Sequence, residues 1–270
     1  MENLKRIDRL GGLELHILTP GDIERVQGII QNTSAGIVLM SENAFINTRR
    51  IDQFCDGKVA QEAVDLRYME GNPWVLDLIR KMQRQKNTAY FPGTVLQDFG
   101  GYCLPTMPVI INGNLDLRVK VTANECVDSY PELARRLFDE KYAEEIRKCG
   151  GFFCDQPMKG LVDRLKQESA AVKSIKSYLV KGIRVLPLIC NEISCAAQEY
   201  HGPKVDIVLH SADSLYLSQD QRERAYEKFL FDMVKQEKFN GPAFLAYAEA
   251  GLEPRAGILS YSGGSIVKIE

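Results

Sequence analysis

Short apolar runs alternate with amphipathic helical patterns along this chain, and that alternation narrows the folds open to it more than any other feature. After "TPGD", the positions Ile23, Val26, Ile29 and Ile30 recur at helical spacing, and "AGIVLM" then reads as a short buried strand. Asn72 and Pro73 supply a helix cap and a first-turn proline for "PWVLDLIRKMQRQ", with Trp74 as an anchor on the core; the strand-like "NTAYFPG" follows. "MPVIINGNLDLRVKV" reads as two strands around the tight turn "NGN", and "KVDIVLHS" as another buried strand. "SQDQRERAYEKFLFDMVKQE" opens with a Ser218 to Gln221 capping box and continues as an amphipathic helix. This order predicts a layered α/β fold.

One stretch breaks the rhythm. From about 131 to 182 two long helical patterns, "PELARRLFDEKYAEEIRKCGG" and "MKGLVDRLKQESAAVKSIKSYLVKG", follow one another with no strand evident between them. There is no internal repeat and no linker rich in Pro, Gly or Ser. Residues 1–270 are therefore expected to form a single domain with a helical insertion at about 131–182.

The 270 residues carry a formal net charge of -2, with Lys and Arg scattered among Asp and Glu, so nothing favours nucleic acid or an anionic membrane as partner. Seven cysteines without a regular framework fit a reducing compartment, and "MENLKRIDRL" does not read as a signal peptide. A cytoplasmic protein is expected. Cys149 and Cys154 in "CGGFFC" lack a second close pair and a neighbouring histidine, so no metal site is expected there.

Chemistry in open α/β sheets collects where strands end, at their carboxyl edge. Three reactive residues occupy such positions: Glu42 after "IVLM", Lys120 near the end of "LDLRVKV", and Cys190 at the end of "VLPLIC". Taken singly, each has an ordinary explanation. Lys120 alternates with Asp116 and Arg118 as on a solvated strand face, a carboxylate such as Glu42 commonly stands near a helix start, and a cysteine such as Cys190 is commonly core. Cys195 reads as packing. Among the histidines His16, His201 and His210, only His210, at the end of "IVLH", stands next to the Cys190 strand, where it is expected to line a pocket or satisfy a strand edge.

In combination and in this chain order, the three resemble the Glu-Lys-Cys triad of the carbon–nitrogen hydrolase, or nitrilase, superfamily. "IVLMSENAF" resembles the strand and glutamate of its first motif, with Ser41 where proline is familiar. "INGNLDLRVKV" is similar to its lysine strand. "GIRVLPLICNEI" resembles the glycine, apolar strand and "ICxE" of its nucleophile motif, with Asn191 in place of the common aromatic and Glu192 in its usual place. "KVDIVLHSADS" and "GPAFLAYAEAGLEPRAGILSYSGGSIV" resemble later strands of the family. Pro187 interrupts the nucleophile strand and leads to the expectation of a local bulge. The interval from Lys120 to Cys190 is long, as a helical insertion would make it.

The resemblance implies a four-layer α-β-β-α sandwich. It also implies Cys190 as nucleophile, Glu42 as general base and Lys120 as oxyanion stabiliser. Asn191, Glu125 and His210 are the candidate substrate contacts, and Glu125 and Asp128 compete for the family's additional acid. The activity implied is hydrolysis of a non-peptide carbon–nitrogen bond, a linear amide or carbamoyl group ahead of a nitrile. It would run through a thioester on a small-molecule substrate, with no cofactor and no metal, in a homodimer or higher homo-oligomer. Acyl transfer to an amine is a related alternative, and a catalytically silent binding protein on the same scaffold is an alternative from another class.

Overall fold

The apolar runs of the sequence assemble into two stacked sheets in a computed structural model of the chain, which describes residues 4–19, 28–30, 33, 36–42, 44, 73–98, 103–120, 175–213, 218–250 and 254–269. The first sheet contains β1 (Leu4–Ile7), β2 (Leu13–Leu18), β3 (Ile37–Met40), β4 (Ala89–Phe91), β5 (Val95–Asp98), β6 (Cys103–Ile111) and β7 (Asn114–Val119). Its path runs β1-β2-β3-β4-β6-β5, with β7 on β6. The second contains β8 (Tyr178–Val180), β9 (Ile183–Ile189), β10 (Ile207–Asp213), β11 (Ala243–Ala250), β12 (Arg255–Ser262) and β13 (Ser265–Ile269), in the order β13-β12-β11-β10-β9-β8.

Side-chain parity explains the layers. In β3, Ile37 and Leu39 enter the core between the sheets, where they join Leu15, Phe91, Val185, Ile189 and Leu209. Val38 and Met40 face the other way, onto Val75, Leu78, Ile79 and Met82 of α1 (Pro73–Arg84). A strand covered on both faces has to be apolar throughout, which is why "IVLM" shows no alternation. The second sheet repeats the logic. Leu186, Leu188 and Val208 pack beneath Tyr226, Phe229, Leu230 and Met233 of α3 (Gln219–Lys235), beside the single turn α2 (Ala196–Glu199). The result is the expected α-β-β-α sandwich. The capping box at the start of α3 is formed, with Ser218 Oγ accepting from Gln221 N–H at 3.3 Å and Gln221 Oε1 accepting from Ser218 N–H at 2.9 Å. The "NGN" turn also forms, with Asn112 and Gly113 both at positive φ, the geometry a two-residue hairpin requires.

Two expectations need correction. Tyr178–Val180 is a strand, not the end of a helix: it pairs antiparallel with β9 through a turn in which Lys181 and Gly182 have φ of 50° and 85°. The apolar stripe of "SYLV" was legible, but "KG" is a hairpin turn that cuts it off. Residues 121–174, the bulk of the expected insertion, lie outside the described residues. Pro187 makes no bulge. The pairing of β9 with β10 runs without a skipped residue from Val185 to Ile189. Arg184 turns its carbonyl toward Asp206 N–H, so odd-numbered residues of β9 face the β8 side, and β8 stops opposite Val185. Pro187 therefore lacks its N–H where the described residues offer no ladder bond to lose.

Candidate active site

Strand direction gathers the three predicted residues. β7 runs antiparallel to β6, which runs antiparallel to β4, and β4 is parallel to β3, so β3 and β7 end on the same edge. The second sheet brings its carboxyl edge to the same place, because Glu42 N–H donates across to Ala212 O, near the end of β10, at 3.4 Å. Cys190 follows the last residue of β9, which is parallel to β10. Glu42, Lys120 and Cys190 thus share one rim of the sandwich.

Glu42 and Lys120 form an ion pair with Nζ donating to Oε1 at 2.8 Å, each side chain 1% exposed. Burial alone would lower the proton affinity of Lys120, but the neighbouring Cys190 and Glu42 charges outweigh it and hold the ammonium above its ordinary range. The influence of Cys190 on Lys120 also places the thiol group within electrostatic reach of the pair. The other carboxylate oxygen, Glu42 Oε2, is buried with no hydrogen-bond partner among the described residues, as are the hydroxyls of Ser41 and Ser211 at the same edge. A buried carboxylate oxygen left open beside a thiol is suited to accept its proton.

The main chain of Glu42 is fixed by its neighbours. Its carbonyl accepts from Thr94 N–H at 2.8 Å and from Thr94 Oγ1–H at 2.9 Å. Thr94 reaches it because the pairing with β6 advances five residues from Tyr90 to Val95 but only four from Ile110 to Thr106, a one-residue bulge between β4 and β5. Gly93 sits in that bulge at φ +78°, and a Cβ there would stand 2.1 Å from Ser41 O and 3.0 Å from Glu42 O. Gly93→Ala is therefore expected to lower stability by about 2 to 4 kcal/mol, through positive-φ strain and displacement of the Glu42 loop. Chemical denaturation checks this, and a midpoint equal to that of the parent protein would refute it.

Cys190 occupies a sharp corner. It has φ +46°, uncommon for a residue with a side chain, and opens the 3-10 turn 190–194. The corner is braced from below: Glu192 Oε2 accepts from Ile189 N–H at 2.7 Å and from Arg118 NH2 at 2.6 Å, with both side chains buried. Arg118 and Lys120, two residues apart on one strand face, therefore pair with Glu192 beneath the Cys190 corner and with Glu42 respectively. The solvated-face reading holds on this strand only for Asp116, which is half exposed and accepts from Tyr178 Oη at 2.8 Å. Asn191 lies beside the thiol, its Oδ1 3.9 Å from Cys190 Sγ. Burial pushes the Cys195 thiol up to about 12.

His210 does not stand where a substrate contact would. Parity puts it with Val208 on the helix side of β10, where Nε2 lies 2.9 Å from Cys190 O and Nδ1 2.9 Å from Tyr226 Oη. Both ring nitrogens are thus taken by protein atoms. Glu125 and Asp128 lie outside the described residues. Neither Gly93 and Thr94 nor the Arg118–Glu192 brace was singled out from sequence as part of the site. The signals available for them were the glycine of "FPGT" and the two-residue spacing of Arg118 from Lys120. Among the described residues no group of three or more His, Cys, Asp or Glu side chains is arranged to hold a metal ion, and no helix is long and apolar enough to cross a membrane.

No family model matches this chain, and no curated protein matches it significantly by sequence. Solved structures do match in fold. XC1258 from Xanthomonas campestris, a CN-hydrolase superfamily protein with an arsenic adduct in its active site, superposes with a TM-score of 0.55 at 11% identity, over 92% of this chain and 80% of that one. A glutamate-to-glutamine mutant of the amidase from Nesterenkonia sp. AN1, carrying acrylamide added at its active-site cysteine, gives 0.50 at 12% identity over 93% and 80%. A cysteine-to-serine mutant of the same amidase, from the nitrilase superfamily, gives 0.50 at 11% over 93% and 78%. At these identities the likeness is one of architecture: this chain has the fold of the carbon–nitrogen hydrolase superfamily.

Proposed function

We propose that this protein is a hydrolase of a non-peptide carbon–nitrogen bond, acting on a small linear amide or carbamoyl compound through a thioester at Cys190. The observation that carries the reading is the buried Glu42–Lys120 pair at 2.8 Å, with Glu42 Oε2 unpartnered among the described residues, on the same rim as a cysteine in a positive-φ corner. Burying a charged pair is costly, and the open oxygen adds to that cost; a site that needs a base and a cation beside a thiol accounts for both.

The residues divide the work as follows. Glu42 accepts the Cys190 thiol proton as Sγ attacks the carbonyl carbon, and the carbonyl π pair moves onto oxygen. Lys120, with the Asn191 N–H in the first turn after the corner, stabilises that oxyanion. As the carbonyl re-forms, the carbon–nitrogen bond breaks, and the proton held by Glu42 goes to the departing ammonia or amine. Glu42 then takes a proton from water, whose oxygen attacks the thioester. The acid leaves, and Cys190 Sγ departs with the returned proton.

The test is intact-mass analysis during incubation with a panel of linear amides. A transient gain equal to the acyl group, located at Cys190, is the expected result, with release of the free acid. Release as a new amide when an amine is added would assign acyl transfer instead. Absence of any adduct across the panel, with ligand binding retained, would overturn the enzyme reading in favour of a silent binding protein.

A further inference from the structure

Behind Cys190, on the helix side of the second sheet, runs a chain of buried polar groups that the proposed reaction does not use. Cys190 O faces His210 Nε2 at 2.9 Å, His210 Nδ1 faces Tyr226 Oη at 2.9 Å, Tyr226 Oη donates to Glu249 Oε1 at 2.5 Å, and Arg222 donates to Glu249 Oε2 at 3.1 Å. His210, Tyr226 and Glu249 are each 4% exposed or less. His210 on β10 and Glu249 on β11 share the strand parity of Val208 and Leu245, which face α3 and not the core between the sheets. This is a large polar investment for a layer otherwise packed from Leu186, Leu188, Phe229 and Met233.

The chain has a direction. A carbonyl can only accept, so Nε2 must carry the hydrogen that meets Cys190 O, and this fixes the tautomer of a neutral ring. Nδ1 then carries no hydrogen, so the single Tyr226 hydroxyl hydrogen is shared between Nδ1 and Glu249 Oε1, and Glu249, held by Arg222, sets the position of Tyr226 beside the ring. The carbonyl at the near end belongs to the one residue of the corner with φ +46°. A residue in that conformation relaxes toward negative φ unless its neighbours hold it, and rotation of its main chain would swing Sγ away from the Glu42–Lys120 pair.

From this geometry we infer that His210, oriented by Tyr226 and Glu249, is a positioning residue that locks the main chain of Cys190 in its strained conformation and so aims the thiol. The inference rests on Cys190 being the nucleophile, but not on any particular substrate. It makes the α3 face of the second sheet a working part of the site rather than mere cover.

The experiment measures the rate at which iodoacetamide alkylates Cys190 in the full chain, with Cys195 as internal reference, for the parent protein and for His210→Leu, His210→Gln and Tyr226→Phe. His210→Leu removes the donor and is expected to slow Cys190 by about ten- to a hundredfold while leaving Cys195 unchanged. His210→Gln places an amide N–H close to the position of Nε2 and is expected to recover most of that loss. Tyr226→Phe keeps the ring but frees its orientation and should fall between the two. If His210→Leu does not fold, the comparison of His210→Gln with Tyr226→Phe decides the matter. Equal Cys190 rates in those two and in the parent overturn the positioning role, as does a loss in Tyr226→Phe shared by Cys195. A Cys190 that is inert in the parent protein overturns the hydrolase reading and this inference together, whereas a reactive Cys190 indifferent to His210 overturns this inference alone.

Discussion

Cys190→Ala abolishes turnover and removes the position that small electrophiles label first. The expectation follows from the contrast between the two cysteines five residues apart. Cys195 packs beside the second core layer, its Sγ 3.5 Å from Glu192 O, and burial pushes its thiol up to about 12. At neutral pH it is protonated and slow. Cys190 stands in the positive-φ corner, on the rim that carries the Lys120 ammonium, with a carboxylate oxygen open to take its proton. Brief alkylation of the native protein followed by peptide mass spectrometry should therefore mark Cys190 well before Cys195. Glu42→Gln should retain the alkylation site but slow acylation by about a hundredfold or more, because the amide cannot accept the thiol proton. Equal labelling of both cysteines, or labelling of Cys190 only after denaturation, would make "VLPLIC" core and end the catalytic reading.

The two residues of this contrast also show which parts of the site the sequence carried. Glu42, Lys120 and Cys190 were legible because each stands just past the end of a strand, and strand ends on one edge of a parallel arrangement are where chemistry collects. That argument needs only strand direction, which short apolar runs reveal. What supports the three was not legible, because it depends on registers between segments far apart in the chain. Gly93 matters through a bulge that exists only once β4 and β5 both pair with β6, and through Ser41 O, which another strand delivers. Arg118 looked like part of a solvated face; it is buried because Glu192, 74 residues later, returns beneath the corner. His210, expected at a strand end, stands in the middle of β10, which runs on to Asp213; strand period alone also leaves open which face belongs to the helix, and that choice moves it behind Cys190.

The same limit explains the differences in the fold. The patterning that identified β3, β4, α1 and α3 is local, and those elements form where expected. Tyr178–Val180 carries the apolar content of a helical stripe, and only the positive φ of Lys181 and Gly182 turns it back along β9. Pro187 seemed to demand a bulge because a proline in a central strand loses a ladder bond. The short length of β8, which no local pattern in β9 announces, removes that demand.

Lys120→Met should cost more than a surface lysine would, in stability as well as in turnover. Its ammonium and the Glu42 carboxylate are each 1% exposed and 2.8 Å apart, so removing the cation leaves a buried carboxylate with neither oxygen partnered among the described residues. Breaking a buried pair in this way costs about 3 to 5 kcal/mol, most of it the burden of the orphaned charge. Turnover should fall by about a hundred- to a thousandfold, since the oxyanion loses its principal donor. Combining Lys120→Met with Glu42→Gln separates the two effects. With both charges gone, stability should return by about 1 to 3 kcal/mol relative to the sum of the single changes, while turnover stays lost. The pH dependence has a definite sign. Because Lys120 holds its proton above the ordinary range in the folded chain, its contribution is fully present below the unfolded value of about 10.4 and disappears only as pH rises through the higher folded value. Denaturation midpoints for the four proteins between about pH 7 and 9 should therefore differ by amounts to which Lys120 titration adds no slope. A Lys120→Met protein as stable as its parent would show that the pair is not buried as described, and would remove the physical basis for reading this rim as an active site.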